Sequence, residues 1–279
     1  MNLISKSILQ TLSYSDNFLF PLTKEEIFRW LGVKTTPRDV ELELKKLLGE
    51  KKVFKKDNLY FLPKREITIE NRRRNKIISQ EKYLLAKKTA KTLEKIPWIA
   101  FIGITGSLAV ENCREEDDID LIIVTKKNRL WIVRFLIIIL GGILGIKRRK
   151  QGDTIFKDKI CFNLFLDEES LKIEKINYLI SRELLQIKLL FDSGRVSDRI
   201  ISDNPQVLSF FPNYPENTEN ITNYTEDNNV FLDLINKILF KLQYWYMRSK
   251  ITNEKVCLHQ AFFHPRGLGK GVKNLESRI

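Results

Sequence analysis

The chain has 279 residues, 43% apolar and 30% charged, a balance that can fill a sizeable core and that excludes a disordered or fibrous chain. Its 48 Lys and Arg against 35 Asp and Glu leave a net charge of +13, which favours polyanionic partners: nucleic acid, nucleotides or an acidic membrane surface. Cys113, Cys161 and Cys257 are scattered and odd in number, which excludes a disulfide framework and fits a reducing, cytoplasmic compartment; two histidines without a Cys-x-x-Cys exclude a structural zinc site.

The opening MNLISKSILQTLSYSD lacks the apolar core and small-residue cleavage site of a secretory leader. Residues 1–66 read as a winged-helix-like domain, three helices and a hairpin. Thr23-Lys24-Glu25-Glu26 is a capping box, followed by the apolar stripe Ile27, Trp30 and Leu31. Thr36-Pro37 starts the next helix, with Val40, Leu44, Leu47 and Leu48 facing inward. Lys52–Phe54 and Leu59–Leu62 flank Lys55–Asn58, as two strands and a turn would. Such domains read DNA through their last helix, but this one carries Asp39, Glu41 and Glu43, which phosphates repel. A packing domain and a DNA reader both stay open.

Residues 67–96 form a basic connector, one long helix or two. Arg72-Arg73-Arg74 opens it and six lysines follow, with Ile77, Ile78, Leu84, Leu85 and Leu93 as its apolar side. It is a solvated face or a surface that tracks a nucleic-acid backbone; spacing does not separate the two.

Residues 97–170 carry the chemistry. Trp98–Thr105 is a buried strand, Gly106-Ser107 a turn, Leu108–Asn112 a short helix, and Asp118–Val124 (DIDLIIV) a second buried strand. Strand alternation turns Asp118 and Asp120 to one face. Two carboxylates there are expensive to bury, and a divalent cation would neutralise them. Magnesium takes a few carboxylates plus phosphates and water. Gly106 lets backbone approach a phosphate, and Ser107 offers a hydroxyl and an N–H at a helix start.

Trp131–Ile146 is apolar, but its uninterrupted part, Phe135–Ile146, falls short of the roughly 20 residues of a membrane span. A buried core helix with a solvated basic end, Lys147-Arg148-Arg149-Lys150, is expected; the alternative is a membrane-surface contact. Arg134 in it either reaches substrate phosphates or is paired. Lys159–Leu166 (KICFNLFL) is a further strand, with Cys161, Asn163 and Phe165 on one face and Ile160, Phe162, Leu164 and Leu166 on the other. Cys161 reads as a small buried residue.

Residues 171–279 read as a helical region. Tyr178–Phe191 is expected as one amphipathic helix, 212–229 as a loop, and Val230–Met247 as a helix with the stripe Phe231, Leu234, Ile235, Ile238, Leu239, Leu242 and Trp245. His264 is expected to be a packed turn residue rather than a catalyst.

A hydrophobic strand, Gly106-Ser107, ten residues, then Asp118-Ile119-Asp120-Leu121 resembles the DNA polymerase beta-like nucleotidyltransferase superfamily. The resemblance covers about residues 97–167. It implies an α+β fold, a mixed sheet with helices, between the winged-helix-like domain and the C-terminal helical region. It implies transfer of a nucleoside monophosphate from a nucleoside triphosphate to an acceptor, with Mg2+ (or Mn2+) on Asp118 and Asp120 and the nucleotide on Gly106 and Ser107. The superfamily's usual third carboxylate falls on Asn163, which can offer an oxygen but no charge and no base. Asp167, in phase with Asn163, is the substitute if the strand runs further. A nucleotide- or nucleic-acid-binding regulator on the same fold is the alternative.

Overall fold

The computed structural model describes residues 1–150, 152–215, 229–251 and 255–263. In chain order its elements are α1 (Leu3–Asp16), α2 (Lys24–Arg29), α3 (Pro37–Gly49), β1 (Phe54–Lys56), β2 (Leu59–Phe61), α4 (Ile67–Leu93), β3 (Ile99–Ile104), α5 (Gly106–Ala109), β4 (Ile119–Thr125), α6 (Leu130–Ile143), β5 (Ile160–Asp167), α7 (Tyr178–Leu185), β6 (Lys188–Asp192), α8 (Val196–Ser202), α9 (Gln206–Phe210), α10 (Val230–Met247), β7 (Lys255–Val256) and β8 (Gln260–Phe262). The described residues are thus α+β, with a six-stranded mixed sheet and a separate two-stranded one. Two units divide them: 1–77 with 205–215, and 78–204 with 229–251 and 255–263.

In the first unit, Thr23 and Glu26 cap α2 reciprocally, and Thr36 accepts from Asp39 N while Pro37 opens α3. Ile8, Leu12, Ile27, Leu31, Val40, Leu44 and Leu47 bury together between the helices. The hairpin turns on Asp57 and Asn58 alone, both at positive φ, so Lys55 and Lys56 belong to β1 rather than to the turn. Phe211 and Tyr214 pack against Trp30, and Asn213 bonds Thr35 N and Val33 O. The arginine run is spent on ion pairs: Arg72 grips Glu26 with two nitrogens, and Arg73 reaches Asp57 and Glu70. Two of its three guanidinium groups are therefore already engaged with carboxylates.

In the second unit the strand order is β6-β3-β4-β5-β8-β7. Among the strands of the described residues, β4 and β5 are the one parallel pair. Ile119, Leu121 and Ile123 of β4 alternate onto the face covered by α4 and α6, where Ala86, Ala90, Leu93, Trp131 and Ile137 bury. Alternation leaves the Asp120 side chain on the opposite face.

Three outcomes differ from the sequence expectations. The segment expected as one helix over Tyr178–Phe191 breaks after Leu185, and Lys188–Asp192 pairs with β3 as an edge strand. Strand pairing there overrides a helical apolar pattern, because a stretch of five residues satisfies either period. The region expected to be helical also supplies β7 and β8. Helix α6 is only half buried: Leu130, Trp131, Val133 and Ile137 face the sheet, while Phe135, Ile139 and Ile143 are exposed. Among the described residues no helix is long and apolar enough to cross a membrane. His264 lies outside the described residues.

The start of α6 is capped from another helix. Asn236 of α10 is 1% exposed, and its Oδ1 accepts from Trp131 N at 2.8 Å and Ile132 N at 3.2 Å. These are two of the N–H groups that a helix start cannot satisfy internally. Asn236→Ala is expected to cost about 1–3 kcal/mol for each N–H left unpaired. Asn236→Asp, which keeps the acceptor, is expected to cost less. Urea midpoints of the three proteins measure this; equal midpoints for wild type and Asn236→Ala would remove the capping role.

Candidate metal centre

Strands β3 and β4 are antiparallel, with Ile104 opposite Leu121, and this register lays the turn after β3 over the start of β4. Thr105 N donates to Asp120 O at 3.0 Å. Gly106 follows in the left-handed region, φ 66°. A Cβ on Gly106 would lie 2.7 Å from Asp120 Oδ2, inside contact distance. Backbone conformation and space both demand glycine here.

Ser107 is placed differently from the expectation. Its Oγ donates to Asp117 Oδ2 at 3.3 Å and lies 3.2 Å from Cys113 Sγ. Asp117 Oδ2 also accepts from Arg114 N at 2.9 Å. The hydroxyl is thus committed to the 113–117 loop, because that loop folds back to deliver Asp118. Lys82 secures the loop from α4: 3% exposed, it donates to the carbonyls of Glu115 and Asp117 and to Asp158 Oδ1. One lysine of the basic connector is therefore a buried strut.

Asp118 immediately precedes β4 and Asp120 is its second residue. Asp120 stands beside Cys161 in the parallel register, so their side chains share a face. One carboxylate oxygen each of Asp118 and Asp120 and the Cys161 sulfur lie within 4.8 Å of one another. The two acids expected from the sequence are brought together, and Cys161 joins them as a third donor. Sequence reasoning had set Cys161 aside; the β4–β5 pairing that places it is not visible in alternation within β5.

Asn163 also comes to the acids, through an irregularity. The register runs Leu121 opposite Phe162, then Ile122 opposite Leu164, so Asn163 is an extra residue in β5. Its Nδ2 donates to Asp120 Oδ1 at 2.8 Å. Its Oδ1 is buried and without a partner among the described residues. The bulge reverses the phase beyond it: Leu164 and Leu166 align with the Asp120 face, and Phe165 and Asp167 with the other. Asp167 is accordingly not a third ligand. It is buried, accepting from Asn128 N at 2.6 Å and Glu169 N at 3.1 Å and lying 3.4 Å from His259 Nδ1.

Arg149, unsuspected in the sequence, is the cation at the acids. Its Nη1 lies 2.6 Å from Asp118 Oδ2, and its guanidinium rests over the Phe156 ring. A bridge between Arg148 and Ile160 carries it there, a contact with no local sequence signal. Beside this group a cavity of about 510 Å³ opens along β5, lined in part by Cys161, Asn163, Arg149 and Arg134.

No family model, curated protein or solved structure matches the chain. What the site can do therefore follows from its own chemistry. Burial first, and then the charge of Asp118, push the Asp120 carboxyl up to about 7. Burial, and then the charge of Asp120, push the Cys161 thiol far above its usual range, so it stays protonated in the absence of a metal. The cluster can bind a metal ion. Its oxygen donors, Asp118, Asp120 and the unpartnered Asn163 Oδ1, suit a hard divalent cation; a softer one would have to strip the proton from Cys161.

Two predictions follow from the geometry. Gly106→Ala places a methyl against Asp120 and strains the backbone, and is expected to cost about 1–3 kcal/mol together with loss of divalent-ion binding, read by denaturation and calorimetry. The second concerns pH. An unfolded aspartate titrates near 3.9, well below folded Asp120, so the contribution of Asp120 to the stability of the metal-free fold is lost as pH rises from about 4 through about 7. In chelator, the melting temperature of wild type relative to Asp120→Asn is expected to fall across that window. Parallel profiles would refute the assignment.

Proposed function

We propose that the second unit is a metal-dependent nucleotidyltransferase of the polymerase beta-like type, moving a nucleoside monophosphate from a nucleoside triphosphate to an acceptor. The observation that carries this reading is the approach of the Gly106 turn to Asp120: a glycine bend and an Asp-x-Asp pair, adjacent in space as they are spaced in sequence. The mixed sheet, with its one parallel pair carrying Asp120 and Asn163, is consistent with that fold.

Asp118, Asp120 and Asn163 Oδ1 would hold Mg2+ or Mn2+. Such an ion, when bound, supplies charge neutralisation at the transferring phosphoryl group. The chain's own residues do the rest. The Gly106-Ser107 backbone, free of a Cβ at its bend, lets phosphates approach the acids. Asn163 Nδ2 fixes Asp120 Oδ1, so that Oδ2 keeps its direction toward the bend. Arg149 screens the repulsion between the acids through Asp118 Oδ2 and is a cation to which a leaving pyrophosphate could turn. The acceptor hydroxyl loses its proton, its oxygen bonds to the α-phosphorus, and the bond to pyrophosphate breaks. That proton passes to water, since the ion would engage both acids and Asn163 cannot act as a base.

A second reading has its own support. Asn163 brings no charge and Arg149 already compensates Asp118, the balance expected of a nucleotide- or nucleic-acid-binding regulator that does not turn over. In the first unit, Glu41 is paired with Lys24 and Lys45, and Glu43 accepts from Ser5. A charge-balanced, ion-paired α3, with three acids among its charges, favours packing over DNA contact there.

Purified protein with α-labelled nucleoside triphosphates and Mg2+ separates the readings. Transfer to RNA, protein or small acceptors is expected. Asp118→Asn and Asp120→Asn should each lower it at least about 100-fold, roughly 2.7 kcal/mol of barrier, with the circular dichroism spectrum retained. Full activity in either variant would sink the mechanism, and tight binding without turnover would favour the regulator.

A further inference from the structure

The cavity beside β5 has a cause in the pairing. Arg148 bridges Ile160, and Phe263 N, just past β8, donates to Asn163 O at 2.8 Å, so among the described residues the edge of β5 is open at Cys161 and Phe162 between them. The space of about 510 Å³ is of the size that takes a small organic molecule. Its walls are mixed. Phe156, Phe162, Phe165, Ile137 and Met247 give it an apolar body. Arg134, Arg148, Arg149 and Lys150 give it four cations against one lining carboxylate, Asp153.

Those charges do not cancel within the wall. Arg149 is taken by Asp118, and Asp153 by Lys159 at 2.7 Å. Arg134, Arg148 and Lys150 have no carboxylate within 4.0 Å among the described residues, and the partners of Arg134 are neutral. Its guanidinium donates to Gln243 Oε1, lies 3.1 Å from Met247 Sδ, and sits over the Phe263 ring at 4.6 Å. Burial, and then the charge of Arg148, depress Arg134 to about 10, so the two guanidinium groups feel each other while Arg134 stays charged at neutral pH. A charge in an apolar wall without a counter-ion is costly, and an anionic ligand removes that cost.

We propose that this cavity binds an amphipathic organic anion: one phosphate or carboxylate head, held by Arg134 and Arg148, on an aromatic or aliphatic body packed against the phenylalanines. That the cavity binds such a molecule does not depend on the metal chemistry. That the molecule is the acceptor of the transfer rests on the function proposed above; Asn163 and Cys161 line the cavity and also touch the acid cluster, so an occupant lies next to Asp120.

Calorimetry on the full chain in chelator, without nucleotide, tests it. The probes are 1-naphthyl phosphate, 1-naphthoate, neutral 1-naphthol and inorganic phosphate. One saturable site is expected for one or both organic anions, the stronger of the two identifying the head group. Naphthol and inorganic phosphate are each expected at least about tenfold weaker, since neither supplies both halves. Arg148→Gln should weaken the anion at least about tenfold. Arg134→Gln should do the same, and Arg134→Lys, which keeps the charge, should weaken it less. Lys6→Gln, an exposed cation of the first unit, should leave binding unchanged. Because Arg134 is enclosed, Arg148→Gln is the deciding variant if Arg134→Gln does not fold. Naphthol binding as tightly as the anions, unaltered affinity in Arg148→Gln, loss of binding in Lys6→Gln, or no binding at all would overturn the proposal. Anion binding with no transfer activity would leave this inference standing and count against the proposed reaction.

Discussion

Two like charges held on one face of a sheet are the constraint to which the rest of the second unit answers. Asp118 and Asp120 approach within 4.8 Å with limited access to water, and at that range their repulsion would spread the strand start. The fold meets this in several places at once. Arg149 supplies an opposite charge, Asn163 donates to one oxygen, and Asp120 gains proton affinity. Lys82 holds the preceding loop by its carbonyls, so that Asp118 cannot swing away. None of these groups is near another in sequence; they span residues 82 to 163, and the sheet brings them together.

This explains why the local backbone is irregular where it is. Gly106 is at positive φ because the turn must pass close to Asp120. Asn163 is an inserted residue because regular pairing would have continued the aliphatic alternation of β5 without bringing an amide to Asp120. Both departures lie within reach of the same carboxylate. Away from the cluster, β4 runs as an unbroken buried strand from Leu121 to Val124.

The parts of the site that depend on a short span of chain were legible in the sequence. Gly106 and the two acids follow from a strand–turn–strand pattern in which alternation and turn chemistry agree. The parts that depend on pairing between distant segments were not. The resemblance places Asn163 at the acids, but its insertion as a bulge, like the approach of Cys161, needed the parallel register of β4 with β5, and that bulge moved Phe165 and Asp167 to the face opposite the one that simple alternation assigns. Arg149 lay in a basic run indistinguishable from a solvated helix end until the Arg148 bridge placed it. At the level of the fold, the helix caps at Thr23 and Thr36 read correctly because capping is local. The β6 segment reads as helix in the sequence because a short apolar stretch fits either period, and its edge pairing with β3 decides.

The charge count at the cluster bears on how the proposed chemistry would be assembled. Two carboxylates, an uncharged asparagine and one bound guanidinium sum to about one negative charge, less when Asp120 is protonated. A bare divalent cation gains little from so few charges and would have to part with much of its hydration. Magnesium gives up water reluctantly and settles where phosphates supply oxygens alongside a small number of carboxylates. On the proposed reading, the nucleotide therefore brings the missing negative charge with it, and the ion and the triphosphate are held as one unit. The replacement of an acid by Asn163 then reduces affinity for the free ion more than for the ion–nucleotide pair. Arg149 fits the same logic: it compensates Asp118 in the absence of the ion and has an alternative anionic partner once phosphates lie across the bend.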